Sequence, residues 1–311
     1  MNAGLLATVC ALVALAVWIT LLFARGGFWR CAQRDDRGEA QADPAHWPSV
    51  VAVVPARNEA DMIPRSLASL LAQDYSGPFS TILVDDSSDD GTLEAARAMA
   101  AGAAGRLAIV EGAPLPAGWT GKLWAVAQGV AHADASAMPP DYLLLTDADI
   151  GYRPDALRGL VRRAEAGGLV LVSLMAKLRC ESFAERALIP AFIFFFQMLY
   201  PFAWVNRRDA RTAAAAGGCM LVRRDALAGA GGIGSIRGAL IDDCALAALL
   251  KRHGPIWLGL TERVHSLRPY PRFDDIRRMV ARSAYAQLRF SRWLLAATIA
   301  GSVGAHNGDS R

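Results

Sequence analysis

No charged residue falls between Ala3 and Ala24, an apolar run of 22 residues. A helix needs about 20 such residues to cross the hydrocarbon core of a bilayer, so residues 1–24 read as a transmembrane helix. The run has no polar face, unlike the surface helix of a globular domain. The basic residues Arg25, Arg30 and Arg34 follow it rather than precede it. That order argues against a secretory signal peptide and, by the positive-inside rule, for a body that faces the cytoplasm. Residues 25–48 are polar, contain Pro44 and Pro48, and read as a linker.

From Ser49 the period changes. β-branched or aliphatic runs at Val50–Val54, Thr81–Val84, Leu107–Val110, Tyr142–Thr146, Leu169–Ser173, Cys219–Val222 and Ile256–Leu260 predict strands. Helical patterns separate the first five. Residues 61–72 set Ile63, Leu67, Leu70 and Leu71 on one face, and residues 92–101 do so with Leu93, Ala96 and Met99. Residues 122–131 and 154–165 repeat the theme, with Pro154 suited to the first turn and Gly167 to the stop. The alternation implies parallel βαβ units, hence a three-layer α/β domain over residues 49–265 with a mostly parallel sheet.

Two apolar segments stand outside this scheme. Ala187–Val205 carries Phe192, Phe194, Phe195, Phe196, Phe202 and Trp204 but also Pro190 and Pro201. It reads as a kinked helix half-sunk in a membrane interface, or as a core helix under the sheet. Residues 263–292 hold eight arginines interleaved with aromatic and aliphatic residues. Residues 266–311 therefore read as a basic, amphipathic C-terminal region, on an anionic membrane surface or packed on the domain. The apolar stretch Leu294–Ala305 is too short to span.

Composition narrows the class. The 33 Lys+Arg against 29 Asp+Glu leave a net charge of +4, too balanced for a nucleic-acid-binding surface. The 53% hydrophobic content excludes a disordered chain, and a mean hydropathy of +0.24 is compatible with membrane contact. Cys10, Cys31, Cys180, Cys219 and Cys244 are scattered, without zinc or disulfide spacing. A reducing compartment is the simplest setting.

In open α/β sheets ligands bind beyond the carboxyl ends of the strands, and here those ends are acidic. Pro55-Ala56-Arg57-Asn58-Glu59 follows the first strand, Asp85-Asp86 the second, and Asp147-Ala148-Asp149 the fourth. Crowded carboxylates repel unless neutralised, and a divalent cation bridging to a diphosphate would do so. On an extended segment Asp147 and Asp149 would face one side and address one Mg²⁺ or Mn²⁺. Neither a P-loop lysine motif nor a G-x-G-x-x-G follows the first strand. Gly121-Lys122 opens a helix and would meet a diphosphate, or is a surface lysine.

VVAVVPARNEADMIPRSLASLLAQDY, TILVDDSSDDGT, GKLWAVAQG and LLLTDAD occur in that order. Together they resemble the family 2 glycosyltransferases, over residues 50 to about 265. GWTGKLWA, the Phe-rich segment, AAAAGGCMLVRRDAL, GALIDDCALAALLKR and HSLRPYPRF are similar to the hopanoid-biosynthesis-associated membrane subgroup. The resemblance implies a nucleotide-sugar-binding (glycosyltransferase A-type) fold. Pro55, Ala56 and Glu59 would border the nucleotide, and Asp86 with Asp85 would hold uracil and ribose. Asp147 and Asp149 would be the D-x-D pair, Asp149 the direct metal ligand, with His265 as a third ligand or a structural residue. Asp242-Asp243 stands where the family has Glu-Asp. Asp243 would be the general base, or the pair caps a helix over residues 242–252. Gln128 stands where the family usually carries Asn. Gly217-Gly218 would let backbone approach sugar or acceptor.

The activity this implies is metal-dependent, inverting transfer of a hexose or N-acetylhexosamine from a UDP-sugar to a lipid. The acceptor would be a hopanoid or another polycyclic or polyprenyl lipid, at a bacterial inner membrane. Subgroup members run on into further transmembrane helices, so the end of this chain reads as truncated or replaced, or as residues 273–305 lying flat on the bilayer. Three alternatives remain. A silent membrane scaffold is opposed by the intact Asp86, Asp149 and Asp243. Nucleotidyl transfer would need a Gly- and Arg-rich loop after the first strand. A processive polysaccharide synthase would need a Gln-x-x-Arg-Trp motif, which Gln287-Leu288-Arg289-Phe290 and Arg292-Trp293 only loosely approach.

Overall fold

The computed structural model describes residues 3–37 and 41–287. α1 (Ala3–Phe23) is a 21-residue helix, about 31 Å long at ~1.5 Å per residue. Leu12, Val13, Trp18 and Phe23 are exposed along it. At its end Arg25 donates to the carbonyls of Met198 (2.9 Å) and Leu199 (3.1 Å) and lies over the Trp204 ring. The helix is thereby tied to the body at its carboxyl end.

The body then alternates β1 (Val50–Ala56), α2 (Ile63–Leu71), β2 (Phe79–Asp85), α3 (Thr92–Ala101), β3 (Leu107–Glu111), α4 (Gly121–Asp134), β4 (Tyr142–Leu145), β5 (Ile150–Tyr152), α5 (Ala156–Gly167) and β6 (Leu171–Lys177). α6 (Phe183–Leu199), α7 (Phe202–Val205), β7 (Met220–Arg223), α8 (Arg224–Gly229), α9 (Asp242–Leu250), β8 (Ile256–Ser266) and α10 (Phe273–Gln287) complete it. The eight strands form one sheet in the order β3-β2-β1-β4-β7-β6-β8-β5.

The three layers are present. Val50, Ala52, Val54 and Ala56 of β1 pack with Ile63, Leu67 and Leu70 of α2 and Leu157, Leu160 and Val161 of α5. Val53, on the other face, packs with Leu123 and Val126 of α4. The sheet is mostly parallel but mixed, with two strands reversed. β1 to β4 run parallel, but β7 is antiparallel to both β4 and β6, and β5 is antiparallel to β8. Residue pattern sets a strand's faces, not its direction, and these returns come from connections that carry no βαβ signature.

Other expectations shift in detail. Pro154 precedes the N-cap Asp155 of α5, and Gly168, at φ 55°, terminates that helix rather than Gly167. Within the segment read as a linker, residues 33–35 are bound to the body. Asp35 N–H donates to Leu260 O (3.1 Å), Leu260 N–H donates to Gln33 O (2.9 Å), and Arg263 grips the Asp35 carboxylate (2.9 Å), so the polar residues are spent on β8. β8 itself runs past 265 to Ser266.

α6 starts with a Ser182/Glu185 capping box, retains Pro190 within it, and breaks before Pro201. Phe183–Val205 has the length and composition of a membrane span, yet a third of its apolar window is buried. Ile189, Phe196, Phe202 and Val205 are core residues. α10 packs on α6 through Ile276, beside Ala184 and Ile189, so the segment after 265 is part of the body as far as it is described. Arg289, Arg292 and Leu294–Ala305 lie outside the described residues.

One contact places α4, and so the start of that helix, on the sheet. A Cβ on Gly129 would lie 2.4 Å from Val53 Cγ1 and 3.0 Å from Val84 Cγ2. Gly→Ala inside a helix ordinarily gains about 1 kcal/mol. Gly129→Ala is expected to do the opposite and destabilise by about 1–3 kcal/mol through overpacking, as measured by urea unfolding of the detergent-purified chain.

Candidate active site

The carboxyl ends of β1, β2 and β4 open into a cavity of about 760 Å³. Its floor is the β1–β2 junction. Asp86 N–H donates to Ala56 O (2.8 Å), Asn58 N–H to Ser88 Oγ (3.0 Å), and Glu59 N–H to Thr92 Oγ1 (2.8 Å). These bonds lay the two loops side by side, with Pro55, Ala56, Glu59 and Asp86 on the cavity wall. Asp85 is not on it. It is buried and accepts from Ser88 N–H (3.2 Å), so it bends the loop that presents Asp86. A strand's alternation sends adjacent residues to opposite sides, which is why only one of the Asp85-Asp86 pair can face the ligand. Gly121 makes room for the other, since a Cβ there would sit 2.8 Å from Asp86 Oδ2.

Asp147 and Asp149 both line the cavity, though on a turn between β4 and β5 rather than on an extended strand. Their buried surroundings fix that turn. The Tyr152 hydroxyl donates to Thr146 Oγ1 (2.7 Å), which donates to Gly218 O (2.9 Å). Each carboxylate has a cation. Lys122 Nζ lies 2.7 Å from Asp147 Oδ1 and 3.1 Å from Asp242 Oδ2. Burial opposes the charge on Lys122, but Asp147, Asp242 and Asp243 outweigh it and raise its pKa. Arg268 Nε lies 2.7 Å from Asp149 Oδ2, and its Nη2 pairs with Glu59. Burial, reinforced by Asp149 and Asp147, pushes Glu59 above its ordinary value despite Arg268.

A second cavity of about 450 Å³ shares Lys122, Asp147 and Asp149 with the first and adds Asp242 and Asp243. Asp243 sits in the first turn of α9 but does not cap it in the ordinary way. Its Oδ2 accepts from Gly217 N–H (2.9 Å) and its Oδ1 from Cys244 N–H (2.6 Å). Gly217 permits the approach, because a Cβ there would meet Lys122 Nζ at 3.3 Å and Asp243 Oδ2 at 3.4 Å. Burial and the neighbouring Asp242 push Asp243 up to about 6, against the pull of Lys122 and the two N–H donors. That value suits a base working near neutrality.

His265 is not with this group. It is the exposed residue between Val264 and Ser266 on β8, lining a separate groove with Arg65 and Lys177. Burial and Arg65 lower its pKa. Its position follows from strand alternation, which turns 265 to the face opposite 264 and 266. Arg268, three residues further on, reaches Asp149 instead. Arg268, with Tyr270, Asp275, Arg278 and Met279, completes the cavity wall. Of the two settings open to the arginine-rich region, a membrane surface or a helix packed on the domain, Arg268 and Arg278 fit the second, and the place of Arg268 in HSLRPYPRF just past the last strand is the signal in the sequence.

The donor set suits a hard divalent cation. Asp147 and Asp149 offer carboxylate oxygen, and among the described residues no cluster of three or more His, Cys, Asp or Glu could hold a metal. Mg²⁺ and Mn²⁺ bound with phosphate substrates need only one or two carboxylates, with the rest from phosphate and water. Arg268, already on Asp149, shows that this position takes positive charge.

The sequence matches the glycosyl transferase family 2 profile over residues 51–229. No protein of curated function matches significantly. Among solved structures, a mannosyltransferase from Pyrobaculum calidifontis in complex with GDP-Man and Mn²⁺ has a TM-score of 0.59 at 19% identity, over 98% of this chain and 88% of its own. Mannosyl-3-phosphoglycerate synthase from Rubrobacter xylanophilus has 0.48 at 20% identity, over 79% and 75%. A TarS fragment from S. aureus has 0.48 at 16%, over 75% and 65%. The first of these likenesses is one of fold.

The two placements separate in a Mn²⁺ titration with nucleoside diphosphate present, followed by electron paramagnetic resonance. Asp149→Ala is expected to lose bound Mn²⁺ at least about tenfold, the loss of a charged ligand, whereas His265→Ala leaves it unchanged.

Proposed function

The chain belongs to glycosyl transferase family 2 and is a glycosyltransferase; from that premise we propose that it moves a hexose or N-acetylhexosamine from a UDP-sugar to a membrane lipid, with inversion. The acceptor class we propose is a hopanoid or another polycyclic or polyprenyl lipid, met at a bacterial inner membrane by a catalytic domain on the cytoplasmic side. The observation that carries the reading is the sharing of Lys122, Asp147 and Asp149 between a polar cavity and an apolar one that ends at Asp243.

In this reading the nucleotide lies against Pro55, Ala56 and Asp86, and its diphosphate lies toward Lys122 and Arg268. Asp149, with Asp147, would hold a divalent cation, which when bound neutralises the departing diphosphate. Lys122 and Arg268 supply fixed positive charge at the same place. Asp243 Oδ accepts the proton of an acceptor hydroxyl as its oxygen attacks the anomeric carbon. The acceptor's body lies along Phe192, Ile193 and Phe196 of α6, which line the apolar cavity. α1, exposed along an apolar length and tied to the end of α6 by Arg25, supports a lipid-borne acceptor.

Calorimetric titration with UDP, GDP and their sugars, with Mn²⁺ and then EDTA, tests the donor. Metal-dependent binding of a UDP-sugar is expected, and binding of GDP-sugars alone overturns the UDP assignment. Asp243→Asn is expected to retain donor binding and lose about 10²–10⁴ in transfer rate, the usual contribution of a general base. The base must be ionised to work. With Asp243 at about 6, kcat/KM is expected to fall tenfold per pH unit below about 6 and to level off above it.

A further inference from the structure

β6 and β8 are parallel partners, but their pairing jumps from Met175–Leu260 to Lys177–His265, a bulge in β8. Bulges re-aim side chains where a sheet meets a site, and this one sets Lys177 opposite His265 at the carboxyl end of β6. On its other side His265 pairs with Gly151 of β5. A Cβ on Gly151 would lie 2.7 Å from His265 Nε2, so the absent side chain is what lets the imidazole lie across that strand. Arg65 of α2 and Arg179 of the loop after β6 complete the wall of a groove of about 500 Å³ around these two residues.

The groove gathers Arg65, Lys177 and Arg179 against one lining carboxylate, Glu181. Arg179 pairs with Glu181, and Lys177 pairs with Glu262 at 2.6 Å. Both pairs are exposed, and exposed pairs are weak enough to yield to a ligand. None of these residues lines the cavity that holds Asp86 and Asp149.

We propose that this groove binds the phosphate of an anionic phospholipid headgroup, at a site apart from the donor cavity. Guanidinium groups fork onto two phosphate oxygens at once, and an ammonium adds a compact charge beside them. The His265 imidazole adds a ring N–H donor.

Two observations favour a lipid over a free phosphate. Leu178 and Ser266 line both this groove and the cavity walled by Phe192, Ile193 and Phe196 of α6. A phosphate in the groove therefore leaves an attached acyl chain at the mouth of an apolar space. Phe183, just past Glu181 in the chain, is 79% exposed and packs edge-on against Phe273, itself 51% exposed, with ring centroids 6.1 Å apart. Exposed aromatic rings beside cations are the combination that settles on an anionic lipid surface.

The test titrates the detergent-purified full chain calorimetrically with dihexanoyl phosphatidylglycerol, dihexanoyl phosphatidylcholine, glycerol 3-phosphate and inorganic phosphate, each with and without UDP and Mn²⁺. Saturable binding of phosphatidylglycerol is expected, at least about tenfold tighter than that of the other three and unchanged by UDP with Mn²⁺. Arg65→Ala/Arg179→Ala is expected to weaken it at least about tenfold, the scale of losing charge-assisted hydrogen bonds, while Arg65→Lys/Arg179→Lys retains most of it. Arg252→Ala, at an exposed position past α9, is expected to leave it unchanged and so separates this groove from net charge. Equal binding of the free phosphates makes the ligand a soluble phosphate and overturns the lipid source. No binding of phosphatidylglycerol, equal binding of phosphatidylcholine, competition by UDP, or an equal loss in Arg252→Ala overturns the site. A chain that binds phosphatidylglycerol in this pattern but no UDP supports the groove and overturns the donor reading alone.

Discussion

Glu59, Asp86, Asp147, Asp149, Asp242 and Asp243 all reach the two cavities that meet at one edge of the sheet, and their mutual repulsion governs how that edge is built. Lys122 and Arg268 answer it, each spanning two acids from different segments. Lys122 joins the turn after β4 to the start of α9. Arg268 joins that same turn to the loop after β1. Two side chains thus cross-link three separate loops and the start of α9, and any ligand must work with or displace those links.

The rest of the fold serves to bring these pieces within reach. β7 lies antiparallel against β4, so the Gly217-Gly218 segment that enters it runs beside the Asp147–Asp149 turn. Thr146 and Tyr152 tie the two together through the Gly218 carbonyl. Glycine at 121 and 217 leaves no Cβ where Asp86 and Asp243 must approach. In a fully buried parallel core the strands could have been closer to interchangeable. Here the reversed strand β7 decides which loop faces which.

Much of this was legible in the residues. The β-branched runs located seven of the eight strands, and the four helical patterns between them fell on α2, α3, α4 and α5. β5 escaped because three residues, Ile150–Tyr152, carry no period. The acidic strand ends pointed to the site, and Pro55, Ala56, Glu59, Asp86, Lys122, Asp147 and Asp149 do line one cavity. What pattern could not convey was direction and facing. Asp85 and His265 carry the right chemistry but turn away from the cavity, and Arg268 looked like one of a surface run of arginines. The polar stretch before Ser49 looked like a tether because its partners on β8 are more than 200 residues distant in sequence.

The position of Lys122 has a thermodynamic corollary. It contacts Asp147 in the polar cavity and Asp242 in the apolar one, so the two compartments share one mobile charge. A ligand that draws the ammonium toward a diphosphate loosens its hold on Asp242 and alters the field at Asp243. Binding free energies are reciprocal: whatever factor the first occupant imposes on the second, the second imposes on the first. The coupling between the two compartments therefore runs through a single side chain, with no domain movement required to carry it.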